Sequence, residues 1–129
     1  MRKKLLGALF ITAITLSPSL SFAASKADAL TSMKTAREKL VALIDTKEKG
    51  TQDALIKEIH EASAKADTEL SGLGDDAKAK EAAGVWEEFK KTRETEIIPS
   101  IQSGDVAKAK EIASTIQKER FKKIIELLQ

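Results

Sequence analysis

After the first two dozen residues, apolar positions recur every three or four residues in four stretches separated by turn formers. That is the period of amphipathic helices rather than of strands. The first stretch runs from about Ser25 to Glu48, with Leu30, Met33, Leu40, Leu43 and Ile44 on one face, and Gly50 ends it. The second, capped by Thr51, reaches about Leu70 and turns Leu55, Ile59, Ala62 and Ala66 inward. Gly72 and Gly74 form the next connection, and Asp75 or Asp76 caps the third stretch. It presents Ala79, Ala82, Trp86, Phe89 and Ile97, is kinked by Pro99 and ends near Gln102. Ser103-Gly104 then turns the chain, and Asp105 caps a fourth stretch whose inner face includes Ala109, Ile112, Ala113, Ile116, Ile124 and Leu127. Short connections make consecutive helices antiparallel neighbours, so the pattern predicts an all-α, up-down-up-down antiparallel four-helix bundle. A long two-helix hairpin that dimerises satisfies the same pattern.

The N-terminus reads differently. Arg2, Lys3 and Lys4 precede an apolar run from Leu5 to Leu16, Pro18 breaks it, and Ser21-Phe22-Ala23 offers small residues where a signal peptidase reads. The run is shorter than the roughly 20 residues a membrane span needs. The expectation is a cleaved signal peptide, residues 1–23, followed by one domain, residues 24–129, in the periplasm or secreted. Cleavage also changes the charge. Losing Arg2, Lys3 and Lys4 takes 22 basic residues to 19, against 20 acidic, a net of −1. With both signs interspersed and no tyrosine, the domain has no footprint for nucleic acid. No later segment is apolar enough for a membrane, and the absence of cysteine excludes lipid attachment, disulfides and c-type heme.

The residue types argue against catalysis. A single histidine, no cysteine and no glycine-rich phosphate loop leave no nucleophile paired with a base, so no catalytic residue is assigned. Di-iron bundles need Glu-x-x-His on two helices. Here the run is Glu58-Ile59-His60-Glu61, and neither a metal site nor a cofactor follows from it.

The arginines say more. Only Arg37, Arg93 and Arg120 follow the signal peptide, each on an apolar stripe: Arg37 between Met33 and Val41, Arg93 between Phe89 and Ile97, Arg120 between Ile116 and Ile124. Counted along antiparallel helices, all three fall at similar depth with His60 and Trp86, within about 13 Å at 1.5 Å per residue. A buried guanidinium needs an anion or a route to water. The candidate site is therefore Arg37, Arg93, Arg120, His60 and Trp86 around a small carboxylate or another anion. Snorkelling stems and inter-helix salt bridges account for the same placement.

The stretch Trp86-Glu87-Glu88-Phe89-Lys90-Lys91-Thr92-Arg93-Glu94-Thr95-Glu96-Ile97-Ile98-Pro99, then Gly104-Asp105, Ala109 and Gln117 to Ile124, resembles the four-helix-bundle sensor domain of methyl-accepting chemotaxis receptors. Those receptors flank the domain with membrane spans, and no second apolar span occurs here, so the resemblance implies a standalone periplasmic ligand-sensing bundle. Ala27-Asp28 leading to Met33, with Asp53-Ala54-Leu55 and Gly104, Val106 and Lys108, is similar to the soluble periplasmic b-type four-helix cytochromes. In that family the methionine and a histidine near the end of helix four hold heme. Ile124 stands at the histidine's position, so Met33 reads as core.

The functional expectation is a non-enzymatic binding or sensor-like module for a small anion. The alternatives are a b-type heme electron carrier and a structural or interaction protein, such as a homodimer formed through an exposed helix face.

Overall fold

The computed structural model describes residues 25–129, and the predicted signal peptide lies outside them. Ser25 opens α1 (Lys26–Ile44) with a reciprocal capping box. Its hydroxyl accepts the Asp28 N–H at 3.0 Å, and the Asp28 carboxylate accepts the Ser25 N–H at 3.3 Å. α1 ends four residues earlier than the sequence suggests. Gly50 is not its terminator but the second residue of α2 (Lys49–Ser71). Nor does Thr51 cap α2. Glu48 does, its carboxylate accepting the N–H groups of Gly50 at 3.0 Å and Thr51 at 2.6 Å, and the Thr51 hydroxyl as well. The hydroxyl above all holds the Glu48 carboxyl below its ordinary value.

Gly74, at φ 64°, supplies the left-handed residue of the next turn. Asp76 then caps α3 (Ala77–Thr92) through the Ala79 N–H at 2.9 Å. α3 runs into a π-helical turn, Arg93–Ile97, and on into α4 (Ile98–Gln102), with helical backbone angles at both junctions. The Ile98 N–H reaches back to the Arg93 carbonyl, one residue further than an α-turn allows. Pro99 follows directly, and the wide turn stands where its ring would otherwise crowd the preceding carbonyls.

Gly104, at φ 91°, turns the chain into α5 (Val106–Ser114), which Asp105 caps. The fourth rod is interrupted at Thr115, where φ is −112° and ψ −94°, and resumes as α6 (Ile116–Leu128). The Ser114 and Thr115 hydroxyls bond back to the carbonyls of Lys110 and Glu111, which competes with the helical ladder at the break.

Cross-helix pairs give the topology. Ser32 meets Glu69 and Lys39 meets Glu58, so α1 and α2 are antiparallel. Asp67 with Lys90 and His60 with Glu94 set α2 against α3 in the same sense. Lys123 with Glu81 and Arg120 with Glu88 do so for α6 and α3. The result is the four-helix bundle expected. Its core joins a small-residue seam between α1 and α2 (Ala29, Met33, Ala36, Ala66) to an aromatic seam between α3 and α6. There Trp86 stacks on Phe89 at 5.3 Å, and Phe89 meets Phe121 at 5.8 Å. Among the described residues, no helix is long and apolar enough to cross a membrane.

One core assignment fails. Ile116 is 47% exposed, and the buried position beside it is Gln117. The stripe that faces the core runs Val106, Ala109, Ala113, Gln117, Phe121, Ile124, Leu128, in steps of three or four. Ile116 lies one residue off it.

Candidate functional site

The five candidate residues do not meet in one cavity. Two of them, His60 and Arg93, line a shallow cleft between α2 and α3 of about 420 Å³. Arg93 occupies a core-facing position of α3 and is 2% exposed. Its Nε donates to Glu94 at 2.8 Å and its Nη1 to the Ser63 hydroxyl at 2.8 Å. His60 Nε2 approaches the same Glu94 carboxylate at 3.0 and 3.1 Å. Burial pushes the Glu94 carboxyl up, but the Arg93 and His60 hydrogen bonds and charges outweigh it and hold the group below its ordinary value.

Trp86 borders this network from inside the core. Its indole N–H donates to Asp67 at 2.9 Å, and Lys90 Nζ holds both Asp67 oxygens at 2.8 Å and Glu87 at 2.8 Å. Burial lowers the Lys90 ammonium, yet the Asp67 and Glu87 contacts more than restore it, leaving its value raised. Lys90 and Arg93 thus each have carboxylate partners within the cleft.

Arg120 sits on the other side of α3. Its Nη1 donates to the Thr92 hydroxyl at 2.6 Å, to Gln117 Oε1 at 3.0 Å and to the Glu88 carbonyl at 3.3 Å, and Nη2 pairs with the Glu88 carboxylate at 3.5 Å. Gln117 donates in turn to the Phe89 carbonyl at 2.8 Å. This cluster fastens α6 to α3 and engages both terminal nitrogens of Arg120.

Arg37 is the exception. Its guanidinium lies 5.2 Å from the centroid of the Phe121 ring, a cation–π contact, and no carboxylate lies within ion-pair distance of it among the described residues. It opens onto a groove of about 520 Å³ between α1 and the fourth rod. Val41, Ile44 and Ala113 give that groove an apolar floor, and Lys110 and Lys118 bring two further cations. Asp45 is its one acidic lining residue, 4.0 Å from Lys110. Val41 is 46% exposed there, and among the described residues it and Ile116 are the large hydrophobic side chains left most open to solvent.

Several residues of these sites escaped the sequence reading although their spacing carried a signal. Ser63 occupies the core stripe Ile59, Ser63, Ala66, Leu70, as Gln117 occupies that of the fourth rod; a polar residue in such a register asks for a buried partner. Lys110, Ser114 and Lys118 recur every four residues, as do Arg37, Val41 and Asp45, so each triplet marks one wall of the groove. Among the described residues, no three His, Cys, Asp or Glu side chains are grouped to hold a metal. Compared with protein-family models, curated proteins and solved structures, the chain gives no significant match in any of the three.

Proposed function

We propose that this protein is a non-enzymatic, exported binding module for a small carboxylate or related anion, taken up in the groove between α1 and the fourth rod. One observation carries the reading: Arg37, Lys110 and Lys118 face a single Asp45 across an apolar floor. In the α2–α3 cleft, by contrast, Lys90 and Arg93 already hold carboxylates of the chain itself. An anion entering the groove gains charge-assisted hydrogen bonds without displacing an internal partner of Arg37. Its guanidinium is held in place by the Phe121 ring, so little freedom remains to be lost on binding.

The resemblance of Trp86 to Pro99 to ligand-sensing bundles agrees with this reading, and export rests on the N-terminal sequence. The heme-carrier alternative has weaker support. Met33 is fully buried in the core, and His60 faces Glu94 across the α2–α3 cleft. The test is thermal melting of the protein against acetate, butanoate, succinate, phosphate and sulfate. At about ten times Kd a ligand stabilises by about 1.4 kcal/mol, a rise of roughly 5 °C or more. Arg37→Gln and Lys118→Gln should each reduce the shift. A flat response to every anion, or variants that respond like wild type, would sink the proposal.

A further inference from the structure

We infer that the ligand of this groove is a single-tailed amphipathic monoanion, its head on Arg37 and Lys118 and its hydrocarbon chain along Val41, Ile44 and Ala113. The inference rests on the anion-binding reading and narrows it to a chemical class. A small inorganic ion would use the cations and leave the apolar floor in water. The floor is where this groove departs from an ordinary charged surface, since a half-exposed valine beside a guanidinium gains only from an apolar partner. The volume, about 520 Å³, lies in the range of small-molecule sites.

Charge sets the head group. Asp45 stands at the Lys110 end, 4.0 Å from that ammonium, and repels a second negative charge there. Arg37 and Lys118 have no such neighbour within ion-pair distance among the described residues, so one anionic head fits between them. The same charges argue against a second copy of the chain as occupant. A two-fold contact would lay Arg37, Lys110 and Lys118 against themselves, which like-charge repulsion disfavours. They also argue against an uncharged lipid, which leaves the guanidinium donors unused.

Isothermal titration of the protein with butanoate, hexanoate and octanoate, and with 1-octanol as the uncharged control, tests this directly. Each methylene laid on the floor should tighten binding about two- to fourfold, so octanoate should exceed butanoate by at least about tenfold and octanol should bind far more weakly. Val41→Ser should flatten the chain-length dependence while leaving butanoate binding in place, and Arg37→Gln should weaken the whole series. Val41 and Arg37 both lie outside the buried core, so these variants fold. Butanoate binding as tightly as octanoate overturns the amphipathic assignment and leaves the anion site standing. Failure of every carboxylate overturns both. Octanol matching octanoate removes the role of the cations, and binding to anionic phospholipid vesicles but not to free octanoate assigns the face to a membrane instead. A dimer in light scattering that Val41→Ser dissolves assigns it to a second copy.

Discussion

The cleft between α2 and α3 and the groove between α1 and the fourth rod both carry an arginine and lysines, yet they solve opposite problems. Arg93 is drawn almost fully out of water, and Glu94 and Ser63 accept from its Nε and Nη1. Arg37 keeps part of its surface wet and leans on an aromatic ring, and no carboxylate answers it. The difference follows from desolvation. An unpaired charge in the core costs several kcal/mol, so a buried guanidinium persists only with its counter-charge built in. A half-exposed one is stabilised by solvent and stays available. Of the two, the deeper and internally paired cation is the poorer candidate for binding something new.

Breaking the internal compensation should have the largest effect. Arg93→Ala should cost about 3–4 kcal/mol in urea denaturation, because it leaves Ser63 without its donor and a void at a core position. Arg93→Met combined with Glu94→Gln keeps the volume and removes both charges, and should recover much of that loss. If Arg93→Ala costs no more than Arg37→Ala, the contrast between the sites collapses.

Gln117→Ala should come next, at about 1–3 kcal/mol, since it removes the buried side-chain donor to the Phe89 carbonyl and an acceptor of Arg120 Nη1; a shift in melting temperature reads this out. The acid limb should be smaller again. Glu94's folded value lies below its ordinary 4.5, so its contribution is complete above that value and is lost as pH falls through the folded one. Glu94→Gln should therefore lower the melting temperature at neutral pH, where that contribution is complete, and flatten the decline on the acid side, so that variant and wild type converge at low pH. Smallest of all, Arg37→Gln and Val41→Ser should shift the urea midpoint by no more than about 0.5 kcal/mol of stability. A large loss there would mean that the groove is structural.

The four rods were readable from the three-four spacing alone, because each helix must hide one face and the turns between them carry glycine or a capping acid. Local ambiguity defeated the finer boundaries. Gly50 looks like a terminator, but the first turn of a helix tolerates glycine when a neighbouring carboxylate, here Glu48, ties down its N–H. In the fourth rod hydrophobicity misled: Ile116 is apolar and off the stripe, while polar Gln117 is on it. Arg93 could be placed on a core face from its neighbours at four residues either side. Its pairing with Glu94 could not, since adjacent residues on an α-helix do not face one another, and this pair opens a π turn. Nor could the separation of Arg37 from Arg93 be foreseen, because counting residues along an axis gives depth but not azimuth.

The wide turn at Arg93–Ile97 has a consequence for phase. Up to that point the buried residues of the third rod step through Ala79, Ala82, Trp86, Phe89 and Arg93. In an unbroken α-helix Ile97, four residues after Arg93, would stay near this bearing, but the buried Ile98 and Ile101 would lie roughly 100° round from it. The extra residue of the π turn cancels that offset, bringing Ile98 and Ile101 into the core with Ile97 and leaving Glu96 outside. Two hydrophobic patterns that are out of step along the chain are thereby kept in step in space, as a vernier realigns two unequal scales.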